Sequence, residues 1–443
     1  MTPPTPTQKG SGTTAGDLPA QAKRLLLESF GAAVAAADPA VILPPHLPPP
    51  PRGRTLVVGG GKAAASMAAA VEAHWPLEAP LSGLVVTRYL HGLPTRRIEV
   101  LEASHPLPDG RGESAALRML ELARTLGADD LLLALISGGG SSLLAAPVAG
   151  LTLKDLRRVT KALLQSGATI QEINIVRKHL TRLSGGQLAC AAGAARVVAL
   201  MISDVAGDDP THIASGPCTP DPSTYDDALH ILLGFGIEAP HEVRHHLELG
   251  AAGQLPDTPK PGSACFRRVS QHVIGSAQAS LDAAAHYFRQ QGIQAIVLSD
   301  RISADAEETA RQHAALLASL STKSPMALIS GGETTVTVRN PAGRGGRNST
   351  YLLALAIALG AHRPVWALAC DTDGIDGTED NAGAILAPDT LARAQELGLD
   401  AAKFLDENNS HDFFAALGDR VVTGPTRTNV NDYRVMLVGQ GAG

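Results

Sequence analysis

Apolar residues in this chain come in short unbroken runs, and most runs are followed by a stretch whose apolar positions recur at helical spacing. TLVVGG (55–60), LSGLVVTRY, RRIEVLEAS, LLLALIS (131–137) and ARVVALMIS (195–203) read as strands, several of them apolar along their whole length. GKAAASMAAAVEAHW and SAALRMLELARTL read as the helices between them. Strands of this kind bury both faces, which predicts a parallel sheet covered by helices on either side. A first helix is predicted over Leu18–Ala37, with Leu25, Leu26, Phe30 and Val34 on one face. The Pro-rich segment 44–54 cannot continue it. After a Pro/Gly-rich stretch at 250–270 the alternation resumes with QHVIGS, AIVLSD, a helix over 304–320, PMALISGGE, a strand-like TTVTV, a helix through YLLALAIAL, PVWALAC, a helix near 390–397 and RVMLV.

The pattern predicts an α/β protein of two α/β domains: an N-terminal Rossmann-like parallel sheet and a C-terminal α/β domain, with a cleft between them as the expected site. The expected boundaries are a disordered tail at 1–16, an N-terminal domain at 17–252, a linker at 253–270 and a C-terminal domain at 271–443. With 443 residues, two domains are the natural count.

Composition narrows the partners. Aromatics are 3% of residues and the net charge is −6, with no dense basic stripe, so nucleic acid and anionic membranes are not expected partners. No run of 18 apolar residues occurs, and the N-terminus lacks the apolar core of a signal peptide, so the expectation is a cytoplasmic protein. The cysteines Cys190, Cys218, Cys265 and Cys370 lie far apart and are expected to be reduced thiols. A homodimer is left open.

Several segments carry chemistry. VVGGGKAAASMA places Gly59, Gly60, Gly61 and Lys62 between a strand and a helix, where backbone N–H groups and a point charge can meet an anion. It is not a P-loop, since Leu56 and Ala63 stand where Gly and Ser or Thr are needed. It does fit G-x-G-x-x-A through Gly59, Gly61 and Ala64, and with Arg88, which could meet a 2′-phosphate, this keeps an NAD(P)H-dependent reductase as the alternative. A tight turn with a solvated lysine is the plainer reading. In LISGGGSSLL, Ser137, Gly138, Gly139, Gly140, Ser141 and Ser142 offer a second anion-binding turn, and Gly331, Gly332 and Glu333 of ISGGETT a third. Three strand ends of one type point to one polyanionic ligand.

Arg177 and Lys178 sit in QEINIVRKHL, which could equally be a solvated, salt-bridged helix face. Asp204 and Asp208 follow a strand, where carboxylates can hold hydrated Mg²⁺ or simply cap a loop. Arg344 and Arg347 stand among glycines before a helix, where a guanidinium can grip phosphate with two parallel bonds. Asp373 lies in the acidic loop DTDGIDGTED, which is either a metal or nucleotide contact or a set of turns. Asn429 and Asp432 lie in the turn-rich TGPTRTNVND and can close a site. His241-Glu242-Val243-Arg244-His245 spells HExxH, but Glu248 and Ala251 occupy the places of the extended motif's Gly and third ligand, so a surface helix is expected.

Taken together, GGGKAAASMA, SHPLPDGRGES, ISGGGSSLL, SGATIQEINIVRKHLTRLSGG, SDVAGDDPTHIASGP, SGGETTVTV, GRGGRNS, DTDGIDG and TGPTRTNVND resemble the glycerate 2-kinase family, whose C-terminal part is the MOFRL domain (here about 325–438) and whose members are often labelled hydroxypyruvate reductases. The resemblance runs from about Ala20 to Val438. It implies phosphorylation of D-glycerate at its 2-hydroxyl, with ATP and Mg²⁺, in a cleft between two α/β domains. It also implies that Lys62 and Arg347 are the catalytic pair. On this reading the glycine turns, with Ser137, Ser141, Ser142, Glu333 and Asp373, hold ATP. Asp204 and Asp208 hold the metal, and Arg177, Lys178 and Asn429 take the acceptor. The base for the hydroxyl proton is unassigned between Asp204 and His179. The chain departs from the family pattern at Ser349 and Thr350, at Arg427 where Gly is usual, and at Cys218 where Thr is usual.

Overall fold

The computed structural model describes residues 18–320, 324–360 and 364–439. The tail expected at 1–16 lies outside them.

Two six-stranded sheets organise the chain. The first contains β1 (Thr55–Gly60), β2 (Leu81–Arg88), β3 (Ile98–Ala103), β4 (Leu131–Ser137), β5 (Arg196–Ile202) and β6 (Val269–Gly275), in the order β3-β2-β1-β4-β5-β6. Every pairing in it is parallel. β1 and β4 are buried along their whole length, as their continuous apolar character requires. The strand order reverses beside β1 and β4, and in such sheets the crevice at the carboxyl ends of those strands is where ligands sit.

The second sheet contains β7 (Gln294–Ser299), β8 (Met326–Ser330), β9 (Val365–Asp371), β10 (Gly383–Leu386), β11 (Arg420–Val421) and β12 (Asp432–Val438), in the order β11-β10-β9-β12-β8-β7. Only β7 and β8 pair in parallel; β12 runs antiparallel to both β8 and β9, and β10 to both β9 and β11. Apolar runs alone do not reveal strand direction, and the short GAIL and RV strands escaped the pattern. TTVTV is not a strand: it contributes a single bridge, Asp305 to Thr335.

Two expected boundaries are corrected. QHVIGS was placed in the C-terminal domain, but β6 pairs with β5 and completes the first sheet. The stretch 253–270 is not a free linker either. The carbonyl of Pro259 accepts the N–H of Asp221 at 2.9 Å, and the Thr258 hydroxyl donates to Asp221 Oδ2 at 2.9 Å. Within the same stretch Cys265 is disulfide-bonded to Cys190, so these two are not the reduced thiols expected; Cys218 and Cys370 are free and buried.

The first helix, Leu18–Ala35, also changes sides. It precedes β1 but packs on the second sheet, where Leu25, Leu26, Phe30 and Ala33 join one core with Leu281, Phe288, Leu368 and Tyr433. Phe30 lies 6.0 Å from the Tyr433 ring, and the Tyr433 hydroxyl donates to Ser29 Oγ at 2.8 Å. The chain therefore starts on one half, crosses to build the other, and returns. Truncating Phe30, which is 4% exposed, removes a large aromatic body from that core. Phe30→Ala is expected to cost about 3–5 kcal/mol, read as a lowered urea midpoint at unchanged slope; a midpoint equal to wild type would show that the helix is not docked there.

Candidate active site

The carboxyl ends of β1 and β4 carry two glycine turns, and loops of the second half close over them. Lys62, just beyond β1, reaches across: its Nζ lies 2.6 Å from Asp373 Oδ2. Burial works against the ammonium, but the carboxylates of Asp373 and Asp371 outweigh it and hold the pKa above the ordinary lysine value. Asp373 in turn receives the Ile375 N–H at 2.8 Å and donates its own N–H to Asp371 Oδ1 at 3.0 Å. Burial would raise its pKa, yet Lys62 holds it low, while burial and Asp373 push Asp371 up.

Arg347 opens the helix Arg347–Leu359. Asp376 fixes that start by accepting the N–H groups of Asn348 and Ser349, each at 2.9 Å. Gly346 is required there, since a Cβ would come within 2.2 Å of the Asp376 carboxylate. So anchored, Arg347 bonds Asp432 through Nε at 2.8 Å, Glu333 through Nη1 at 2.7 Å and Asp371 through Nη2 at 2.7 Å. Below it, the buried Arg434 neutralises the other Asp432 oxygen at 2.6 Å. Lys62, Asp373, Asp371 and Arg347 thus form one continuous line across the cleft, two carboxyl groups between two cations. Each cation keeps donors in reserve: an ammonium has three N–H bonds and a guanidinium five, and these contacts use one and three.

The glycine turns divide. In the first, the Gly61 N–H goes to Val86 O, the Lys62 N–H to Gly138 O at 2.8 Å and the Ala63 N–H to Ser137 Oγ at 3.0 Å. Gly59, Gly60 and Gly61 are therefore packing glycines and offer no cradle for phosphate; a Cβ on Gly61 would meet Ser137 Oγ at 2.1 Å. Ser137 is fully buried as that acceptor, and the Ser142 hydroxyl is held by Pro106 O at 2.6 Å. Neither is free for ATP. In the second turn no partner is found, among the described residues, for the N–H groups of Gly139 and Gly140, so this turn keeps the capacity expected of it. Gly138 must be glycine because a Cβ would strike Asp204 Oδ2 at 1.9 Å. In the third, the carbonyls of Gly331 and Gly332 face Arg434, so these glycines hold the arginine instead of a phosphate. Glu333 is on Arg347 and Asp373 on Lys62, both inside the site.

Of the acceptor candidates, Arg177 lies near enough to His105 for its charge to act on that ring, has no anionic partner among the described residues, and has its pKa pulled down by burial to about 10, still charged at neutral pH. Lys178, its neighbour, is 2% exposed and paired with Asp221 at 3.2 Å, so it cannot reach a substrate. His179 is buried on Asp257 and the Ile175 carbonyl and is no candidate base. Asn429 donates to Asp204 Oδ2 at 3.0 Å and so ties the two halves together. Asp204 is half-buried, and burial and the Glu333 charge raise its pKa to about 6. The Asp208 side chain makes no bond to Asp204 or to the Lys62–Arg347 chain, and among the described residues no three His, Cys, Asp or Glu side chains are placed to hold a metal on their own.

Sequence reasoning passed over three features. His105, from SHPLPDG, lies against Gly139 and Lys62, and burial with the Lys62 and Arg88 charges lowers its pKa to about 3. Asp371 was seen as an acidic loop residue and Asp432 as one able to close a site, but neither as a partner of Arg347. A cavity of about 360 Å³, lined by Val336, Val338, Pro341 and Gly345, opens beside Arg347. Among the departures from the family pattern, Ser349 is buried on Asp376, Thr350 meets Ser410, and Arg427 has φ of 61°, a conformation that favours the usual glycine.

Residues 25–248 match a profile described as a domain of unknown function, and residues 326–432 match the MOFRL family. The D-glycerate 2-kinase of Thermotoga maritima is 40% identical over 362 residues, covering 80% of this chain and 84% of its own. The glycerate 2-kinase of Pyrococcus horikoshii is 38% identical over 387 residues, 84% of each. A solved glycerate kinase structure from T. maritima superposes with a TM-score of 0.82 at 37% identity, over 95% of this chain and all of that one. This chain belongs to the glycerate kinase family. A protein of Agrobacterium vitis, 48% identical over 84% of each chain, is provisionally labelled a hydroxypyruvate reductase; beside the kinases this is an alternative label for the same family. The kinase family's C-terminal MOFRL segment supplies Arg347, Asp371 and Asp373, and the N-terminal segment supplies Lys62.

The raised pKa of Asp204 has a stability consequence. An acid whose pKa is higher folded than unfolded destabilises the fold above both values and not below them. Asp204→Asn is therefore expected to raise the melting temperature of the ligand-free protein at pH 7–8, with the gain fading as pH falls from about 6 to 4. A melting difference independent of pH across that window would contradict the assignment.

Proposed function

We propose that this protein transfers the terminal phosphoryl group of ATP to the 2-hydroxyl of D-glycerate. The observation that carries the reading is the meeting of Lys62 and Arg347, from opposite halves, through Asp373 and Asp371. Phosphoryl transfer needs placement and charge stabilisation rather than a covalent nucleophile, and this pair supplies both. Their remaining N–H donors are available to the equatorial oxygens of a transferring phosphoryl. The cavity beside Arg347 is lined by Val336, Val338 and Pro341 together with Thr334, Asn340 and Asn408, a mixture that offers a nucleotide base both an apolar face and hydrogen-bond partners. Gly139 and Gly140 offer backbone N–H groups, and Arg177, with no anionic partner among the described residues, suits the glycerate carboxylate.

Magnesium fits the donor set. Asp204 and Glu333 approach from opposite halves, and their mutual repulsion is relieved by a divalent cation. Mg²⁺ commonly takes one or two carboxylates and completes its shell with phosphates and water, so the lack of a three-ligand cage among the described residues suits a metal that arrives with the nucleotide. Bound there, it would neutralise phosphate charge. Asp208 is not needed in this arrangement.

The reductase reading is disfavoured by one observation. Dinucleotide sites of the G-x-G-x-x-A type leave the turn's N–H groups open to the pyrophosphate, and here the Gly61, Lys62 and Ala63 N–H groups are spent on the protein itself.

The experiment mixes purified protein with D-glycerate, ATP and Mg²⁺, follows ADP release and identifies the phosphorylated carbon by ³¹P NMR; a parallel assay follows NADPH with hydroxypyruvate. The expected product is 2-phosphoglycerate with no NADPH oxidation, and the reverse pattern overturns the proposal. Lys62→Ala is expected to fold normally and lose about 10²–10³ in kcat, by analogy with loss of one preorganised donor at a developing anion. A kcat near wild type would remove Lys62 from the chemistry.

A further inference from the structure

The strongest unexplained feature of the backbone lies behind the second glycine turn. Ala214, Ser215 and Gly216 all adopt left-handed conformations, with φ of 50°, 60° and 60°. Two of the three are not glycine, and such outliers persist only where the surroundings hold them, most often at functional sites. This turn presses directly on the glycine turn: a Cβ on Gly140 would lie 2.5 Å from that of Ala214.

The strained turn aims one hydroxyl. Ser215, fully buried, donates to Asn174 Oδ1 at 3.0 Å, and its Oγ lies 2.8 Å from Ser141 Oγ. The Asn174 amide is oriented by its second bond, from Nδ2 to the His212 carbonyl at 3.2 Å. A serine has one proton to donate. Ser215 gives its proton to Asn174, so the proton between the two serines must be Ser141's. Ser141 is half-buried, and the part of its oxygen left uncovered is therefore lone pairs only. Such an oxygen takes a bond from an O–H and repels the oxygens of a phosphate or carboxylate. Arg177 lies three residues beyond Asn174 on the same helix, Ile170–Leu180, and so on the same face.

The geometry points to Ser141 as the acceptor of a hydrogen bond from the 3-hydroxyl of D-glycerate, with Ser215 and Asn174 as the positioning residues that strip it of donor capacity. This moves Ser141 from the ATP phosphates, where the sequence placed it, to the sugar-acid half of the site. The assignment rests on the glycerate kinase reading above. The 2-hydroxyl goes to the phosphoryl between Lys62 and Arg347 and the carboxylate to Arg177, which leaves the 3-hydroxyl as the remaining donor. The arrangement makes Ser141 a specificity determinant against 2-hydroxy acids that lack that hydroxyl.

The test compares D-glycerate with D-lactate, which lacks the 3-hydroxyl, in the wild type, Ser141→Ala and Ser215→Gly. Glycine suits the left-handed conformation at 215, so that variant removes the hydroxyl without adding backbone strain. Each variant is expected to raise the KM for D-glycerate about fivefold, the usual loss for one neutral hydrogen bond. The ATP KM and the kcat/KM for D-lactate should stay unchanged, so that discrimination between the two acids shrinks about fivefold. A raised ATP KM with unmoved glycerate KM would return Ser141 to the phosphates, and equal losses on both acids would make the Ser215 turn merely structural; either overturns the proposal. Failure of the wild type to phosphorylate D-glycerate would overturn the underlying reading and this one with it, whereas normal wild-type turnover with unaltered discrimination in both variants would overturn this one alone.

Discussion

One line of charge, Lys62–Asp373–Asp371–Arg347, organises the rest of the molecule. Two cations placed to act on one phosphoryl group repel each other, and neither half of the chain could hold both in a dry cleft. The two aspartates between them remove that conflict. Their own repulsion is settled by unequal pKa values: Asp373 stays ionised on Lys62, and Asp371 is pushed up by burial and by Asp373. The outer partners of Arg347 extend the same logic, with Arg434 buried beneath Asp432 so that this carboxylate is not an uncompensated charge in the core.

The fold serves this line. β1 and β4 end side by side, and their turns are glycine because the chains approach within a Cβ's reach of each other and of Asp204. The second half presents β9, the helix beginning at Arg347 and the 424–432 loop to those turns. The halves are stitched by contacts that also touch the site: Asn429 on Asp204, and the Thr428 hydroxyl on the Ala37 carbonyl at 2.7 Å. The first helix, docked on the second sheet, ties the chain's beginning to its end.

Much of this was legible in the sequence because strands buried on both faces must be apolar throughout, and because an isolated Lys or Arg among glycines at a strand end has few structural uses. Lys62 and Arg347 were singled out on the second ground, whereas Arg177 was picked from a charged helical segment, Asp204 from its place after a strand and Asp373 from an acidic loop. The errors have physical causes. Glycine permits close packing and phosphate approach equally well, so Gly59–Gly61 and Gly331–Gly332 were read as cradles. Nothing in QEINIVRKHL distinguishes Arg177, which has no anionic partner among the described residues, from Lys178, which is buried on an aspartate far along the chain. Strand direction in the second sheet, the side on which the first helix packs and the Cys190–Cys265 bond all depend on contacts between distant segments, which local pattern does not encode.

The central claim is that Lys62 and Arg347 stabilise the same phosphoryl group. A double-mutant cycle in kcat with Lys62→Ala, Arg347→Ala and the double variant tests it most directly. If both act on one group, the double variant should lose little more than the worse of the single variants. Losses that multiply would show two independent roles and contradict the account.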